Sequence, residues 1–424
     1  MQTEILKISN ARIITPHRII PKGTLVARNG VITAIFEGEK KGNTTNDPDA
    51  GAGSKESQPE ADRRHTVEID AGGCYLGPGF IDIHVHGGGG HDFMDGSEEA
   101  FLEIAETHAS YGTTAMVPTT LTAEKEDLLQ TLSLYERAKA ANKRGAQFLG
   151  IHLEGPYFAM NQRGAQDPRY IRDPDPAEYE EIIAHSSAIK RWSAAPELKG
   201  AKAFGRYLQS KGILAAIAHT DAIYEEVVEA VENGYTLATH LYSCMTGVTR
   251  RNAYRYAGVV EAAYLIDEMD VEIIADGVHL PPPLLKLVYK IKGPDKIALI
   301  TDSMRAAGMP PGESVLGSLR NGLKVIVEDG VAKLPDRSAF AGSVATTDRL
   351  VRNMVYQAGV PITDAVKMMS TSPARIMGVA DRKGTLAIGK DADLVVFDEQ
   401  IVIQRTIING KEVYRGNNDG SQKI

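Results

Sequence analysis

The chain opens and closes on short apolar, β-branched runs, and between them strand-like segments alternate with helical ones. Near the start, Ile5-Leu6-Lys7-Ile8 leads to Ala11-Arg12-Ile13-Ile14. Two further runs, 25–28 and 31–35, flank Asn29-Gly30. An Asn-Gly pair between such runs predicts a type I′ hairpin, because both turn positions need positive φ. The C-terminus repeats the device: 392–397 reads as a strand, and Asn409-Gly410 as the turn of a second hairpin over 406–414. The simplest architecture joins the two ends, residues 1–76 and 381–424, into one small β-sandwich. Within the first part, about 40–64 is dominated by Gly, Asn, Asp, Ser, Glu and Pro. Such a composition cannot bury a core and predicts a disordered, mobile surface insertion.

Residues 77–380 read differently. Eight apolar strand candidates stand at 80–86, 115–119, 148–154, 191–196, 213–219, 236–240, 271–276 and 297–302. Between the first two, 97–111 predicts an amphipathic helix, with Leu102, Ala105 and His108 spaced by three. Glu98 and Glu99 in its first turn suit the helix dipole. Strands alternating with helices indicate βα units on a parallel sheet, and eight of them predict an α/β fold, a (β/α)8 TIM-like barrel. In such a barrel the C-terminal strand ends meet at one face, where active sites are built. Here the first strand carries His84 and His86, the third ends in Glu154, the fifth in His219, the sixth in His240 and the eighth in Asp302. Residues far apart in sequence therefore converge.

Composition narrows the partners. The 424 residues hold 47 Lys and Arg against 55 Asp and Glu, a net charge of −8, with no long basic run. That balance disfavours nucleic acid and anionic membranes, which reward clustered Lys and Arg. A phosphorylated small molecule needs only one or two local Arg residues. Two cysteines, Cys74 and Cys244, make no disulfide framework and suit a reducing compartment. The first residues lack a secretory apolar core, and no window reaches 18 uninterrupted apolar residues. A soluble, cytoplasmic protein is expected.

His84-Val85-His86 puts two imidazoles on one side of a strand, since alternate residues share a face. Two imidazoles with a carboxylate suit a borderline divalent metal such as Zn²⁺. Each residue alone has a plainer reading. The His pair could cap a strand, Glu154 could pair with a Lys, His219 and His240 could be core histidines, and Asp302 could be a helix N-cap. Four His and one Glu at converging strand ends point instead to a metal centre. An Asp302 facing that metal could take a proton from water and pass it to a leaving amine.

These segments also carry a family likeness. Pro78-Gly79-Phe80-Ile81-Asp82-Ile83-His84-Val85-His86-Gly87 resembles the first barrel strand of the amidohydrolase superfamily. His152-Leu153-Glu154-Gly155-Pro156, Ala218-His219-Thr220, Thr239-His240-Leu241-Tyr242, Ala275-Asp276-Gly277-Val278-His279, Thr301-Asp302-Ser303-Met304 and Phe340-Ala341-Gly342-Ser343 resemble the N-acetylglucosamine-6-phosphate deacetylase family within it. The resemblance implies that Glu154, His219 and His240 hold a principal metal, and that His84 and His86 hold a second where two are bound. It makes Asp302 the acid/base and His279 the group that polarises the amide carbonyl. It also implies a homodimer acting on an amino-sugar phosphate, with one or two zinc ions per subunit. Three departures bear on the substrate. Ser243-Cys244 stands where the family has Asn-Ala at the phosphate, and Gln166 where it has a His. In the segment 249–256 a phosphate-binding Arg is expected from across the dimer interface, a role open to Arg250 or Arg251.

Overall fold

The computed structural model describes residues 4–38 and 65–416; the insertion expected at about 40–64 lies outside the described residues. Both Asn-Gly turns form. Asn29 and Gly30 have φ of 49° and 80°, and Asn409 and Gly410 have 49° and 77°. Strands Ile19–Arg28 and Val31–Glu37 pair antiparallel across the first turn, Ile403–Ile408 and Lys411–Arg415 across the second. The two turns also touch, since a Cβ on Gly30 would sit 2.8 Å from the Asn409 carbonyl oxygen. Glycine is needed there for both its φ and this close approach.

Strands from both ends join through Tyr75–Pro78, which pairs with Leu394–Phe397 on one side and with Glu4–Ile14 on the other. The expected sandwich is thus, in hydrogen-bonding terms, one eight-stranded sheet. Its inward side chains, among them Ile8, Ile13, Leu25, Ile32, Leu76, Leu394 and Ile407, share one core.

The barrel contains all eight expected strands. They are Phe80–Val85, Thr113–Pro118, a third in two pieces (Gln147–Phe148 and Ile151–Glu154), Ile189–Ala194, Leu214–Ile217, Tyr235–Ala238, Asp270–Ile273 and Ile297–Leu299. Neighbours pair in parallel around the ring, with Thr119 and His152 bridging the second and third strands. The ring closes where the Asp302 amide donates to the His84 carbonyl at 2.9 Å and the His86 amide to the Ser303 carbonyl at 2.9 Å.

The later strands stop short of their expected ends. The fifth, sixth and eighth finish two or three residues before His219, His240 and Asp302. Those three residues have φ of 48°, 30° and 49°. A residue in the left-handed region cannot continue a pleat, so each side chain leaves from a turn above its strand. The expected helix runs Glu98–Ala109, with the Ser97 hydroxyl accepting from the Ala100 amide at 3.1 Å. Its buried face is Phe101, Ile104, Ala105 and His108, with Leu102 half-buried at the edge. After the eighth strand comes an antiparallel three-stranded sheet the periodicity did not predict, Gly312–Leu316, Leu323–Glu328 and Val331–Lys333. No helix among the described residues is long and apolar enough to cross a membrane.

One buried cation ties the C-terminal segment to the barrel. Lys383, 3% exposed, donates to Asp393, to Asp391 at 3.0 Å and to Gln147 of the third barrel strand at 3.0 Å. Asp393 in turn accepts the Asn409 amide of the second hairpin at 2.8 Å. Replacing Lys383 by Met strands a buried carboxylate and is expected to cost about 3–5 kcal/mol. Urea denaturation checks this; an unchanged midpoint would mean water takes over the cation's role.

Candidate metal centre and active site

Asp82, His84 and His86 point the same way because alternate residues of a strand share a face. Asp82 lies deepest, taking the Thr301 hydroxyl at 2.5 Å, and burial pushes its carboxyl up to about 7. Above it the side chains form two compact groups: His84 with His86 and Asp302, and Glu154 with His219 and His240. In each group the nitrogen and oxygen atoms lie within 4.8 Å of one another.

Glu154 stands between the groups. Its Oε1 is 3.1 Å from His240 Nε2, 3.5 Å from His219 Nε2 and 3.4 Å from His84 Nε2, while Oε2 is 3.4 Å from His86 Nε2. Asp302 Oδ1 is 3.1 Å from His86 Nε2 and 3.4 Å from His84 Nε2. Backbone carbonyls decide which nitrogens can act as ligands. His219 Nδ1 faces the Gln162 oxygen at 2.7 Å, and His86 Nδ1 faces the Thr119 oxygen at 3.3 Å. A carbonyl can only accept, so Nδ1 keeps a proton, and Nε2 is the nitrogen that can turn a lone pair to a cation once any second proton has left. The Nε2 atoms of His84 and His86 lie 3.3 Å apart, at 0% and 2% exposure. Lone pairs so close, in a ring closed by two carboxylates, fit a divalent cation.

Without an ion, protons hold the cluster together. Burial pushes the Glu154 carboxyl up, but His84, His219, His240 and His86 hold it well below the usual range. Burial opposes a charge on His86, yet its bonds to Asp302 and Glu154 raise it to about 10. His219 is likewise raised against burial, by Cys244 and Glu154.

A cavity of about 270 Å³ opens above this floor. Gln166, Tyr242, Ser243, Cys244 and His279 line it, with Leu121, Leu316 and Phe340 on the apolar side. Gln166 is spoken for at both ends, donating to Glu154 Oε2 at 2.8 Å and accepting the Thr122 amide at 2.9 Å. Asp276 takes the backbone amides of Val278 and His279 and faces His279 Nδ1 at 2.8 Å, which leaves Nε2 as the free ring nitrogen. Burial favours the neutral Asp276 acid, but His279 and the two amides keep it below its ordinary value. Tyr242 and Cys244 reach the cavity from positive φ, 80° and 50°.

Arg250 lies elsewhere. Thr249–Arg251 and Tyr254–Tyr256 form an antiparallel hairpin on which Arg250 is exposed, and it does not line the cavity of its own chain. Arg251 belongs to the first of these strands. No helix begins at Asp302, so the N-cap reading does not hold; its carbonyl instead accepts the Ser343 amide at 2.7 Å. Periodicity did not single out Tyr242, Leu121, Leu316 or Phe340. It also passed over Arg191 and Glu272, although a charge inside an apolar barrel strand is a signal in itself.

Residues 75–413 match the model of the amidohydrolase family. The chain belongs to that family. Among its relatives is the N-acetylglucosamine-6-phosphate deacetylase of Bacillus subtilis (strain 168), 34% identical over 411 residues, 96% of each chain. The N-acetylgalactosamine-6-phosphate deacetylase of Escherichia coli O157:H7 is 35% identical over 337 residues, 79% of this chain and 87% of that one. A solved mutant of the Mycobacterium smegmatis N-acetylglucosamine-6-phosphate deacetylase, in complex with N-acetylglucosamine-6-phosphate, is 30% identical. It superposes with a TM-score of 0.82, over 97% of this chain and 100% of that one. This amidohydrolase is therefore a hydrolase acting on amide C–N bonds, in a metal-dependent family.

Because the amidohydrolase keeps His86 protonated to about 10 when free of metal, a cation entering at neutral pH must expel that proton. Affinity should therefore rise with pH. Zinc titrated at pH 7 should release about one proton or more per chain. Calorimetry in two buffers of different ionisation enthalpy measures this; identical heats would show His86 already neutral.

Proposed function

We propose that this chain hydrolyses the N-acetyl group of N-acetylglucosamine-6-phosphate, giving glucosamine-6-phosphate and acetate. What carries the reading is Asp302: a buried carboxylate 3.1 Å from His86, lining the same cavity as Glu154, His219 and His240. A general acid/base beside a cation-binding cluster is the equipment amide hydrolysis needs.

Glu154, His219 and His240 would hold one divalent ion, and His84 and His86, with Asp302 beside them, a second. Such an ion polarises a carbonyl and makes water nucleophilic at neutral pH. The protein supplies the rest. Asp302 takes a proton as water attacks the carbonyl carbon. It returns that proton to nitrogen as the C–N bond breaks, so the amino sugar leaves as a neutral amine, while the acyl group leaves as acetic acid with the water oxygen and its second proton and ionises to acetate in solvent. His279, braced at Nδ1 by Asp276, donates Nε2–H, when its ring carries both protons, to the carbonyl oxygen as negative charge builds there. We assign substrate contact to Gln166, Ser243, Cys244 and His279, with Gln166 also bracing Glu154. Arg250 or Arg251 takes the phosphate, from the hairpin of a partner subunit in a homodimer, since guanidinium matches phosphate bidentately. The exposed Val248 and Tyr254 around that hairpin favour a covered surface. The mixed imidazole and carboxylate donors favour zinc, and free Cys74 and Cys244 suit the cytoplasm.

A second reading keeps the chemistry and changes the sugar to the galactosamine epimer, because identity to that E. coli deacetylase, 35% over 337 residues, is close to the 34% over 411 residues to the B. subtilis one. Acetate release by the zinc-loaded protein should be fastest with N-acetylglucosamine-6-phosphate, against the unphosphorylated sugar and the galactosamine epimer. Faster release from the epimer selects the second reading. No release from any of them, with metal bound, removes both. Replacing Asp302 by Asn should lower kcat by about 10²–10⁴ while the Glu154 group keeps its zinc; near-normal turnover would remove Asp302 from the reaction. His279→Asn should cost about 10²–10³ in kcat, measured in the same assay.

A further inference from the structure

We infer that Glu272, on the seventh barrel strand and outside the cavity lining, is the positioning residue for His84, setting which ring nitrogen His84 presents to the second ion. The inference rests on the metal-dependent reading above. His86 and His219 each have a backbone carbonyl to hold Nδ1; His84 has none. The charged group nearest its Nδ1 is the Glu272 carboxylate, with Oε2 at 3.5 Å and both residues 0% exposed. That separation is long for a hydrogen bond and too short to admit a water between them.

Glu272 is itself held by Arg191 of the fourth strand, also 0% exposed. The guanidinium straddles both carboxylate oxygens, at 2.8 Å to Oε2, and Glu272 is thereby kept as an acceptor. Arg191 also donates to the Ile83 carbonyl at 3.1 Å and to the Thr239 hydroxyl at 2.9 Å, the residues just before His84 and His240. The pair therefore sits directly beneath the candidate ligands. With a carboxylate on its Nδ1 side, the His84 ring carries its proton there and turns Nε2 towards Glu154 and Asp302. Stability alone explains the pair poorly, because well-packed apolar residues often replace a buried ion pair without loss.

The test follows from that fact. The double replacement Arg191→Met with Glu272→Leu removes the pair without stranding a charge. Zinc is titrated into metal-free wild type and variant against a chromophoric chelator, with thermal unfolding followed in parallel. The variant should unfold cooperatively and bind its first ion within about threefold of wild type, while the second weakens about 10–100-fold. Glu272→Gln, which retains an oxygen acceptor for Nδ1, should fall between the two. Two ions bound as in wild type would overturn the inference, and so would equal weakening of both, which signals only a loosened barrel. A wild type that binds one ion yet still releases acetate would overturn it too, leaving the hydrolysis reading intact. A wild type with neither ion nor acetate release would overturn the metal reading itself.

Discussion

Glu154 is a carboxylate 2% exposed among four imidazoles, and it can remain ionised there only while positive charge is held around it. Removing an unpaired carboxylate from water is costly enough that the group would otherwise neutralise. Protons on the histidines or a divalent cation can meet that demand. Much else in the barrel mouth follows from this requirement: carbonyls that set the tautomers of His86 and His219, a glutamine bracing Glu154 Oε2, and Asp302 close by.

The barrel meets the requirement by geometry. Parallel strands bring their C-terminal ends to one rim, but a pleated strand alone would aim successive side chains to opposite faces. Only the first and third strands deliver candidate ligands from or directly after regular pleat. His219, His240 and Asp302 leave from turns with positive φ, a conformation that disfavours side-chain-bearing residues. Strain of this kind persists where surrounding structure over-determines it. Here the surroundings are a core of fully buried aromatic and aliphatic residues, together with hydrogen bonds closing the ring at His84 and Asp302.

A polar layer beneath the rim links these parts. Arg191 and Glu272 join four strands, while His152, Ser193 and Thr239 form a chain of bonds of 2.7 and 3.1 Å. Arg191 Nε and His152 Nδ1 have no hydrogen-bond partner, so the bracing comes from the bonds just named. The rim histidines thus stand on a braced floor, as preorganised sites require. The apolar wall of the cavity comes partly from Leu316, in the antiparallel sheet after the eighth strand, and from Phe340 just beyond it. Part of the cavity wall therefore has a different structural origin from the candidate ligands.

Local chemistry made much of this legible in the sequence. Asn29-Gly30 and Asn409-Gly410 dictate their turns because only a few residue types tolerate paired positive φ. Ser97 with Glu98 and Glu99 announces a helix start, and eight apolar runs between helical stretches announce a barrel. Histidines and carboxylates at the ends of those runs followed directly, since strand ends converge. Tertiary structure alone decided the rest. That Gln166 grips Glu154 and that Arg191 spans to Glu272 are contacts between positions 12 and 81 residues apart, which no local propensity encodes. The single sheet joining both chain ends, and the exposed Arg250 hairpin, likewise depend on which surfaces remain once the barrel has closed.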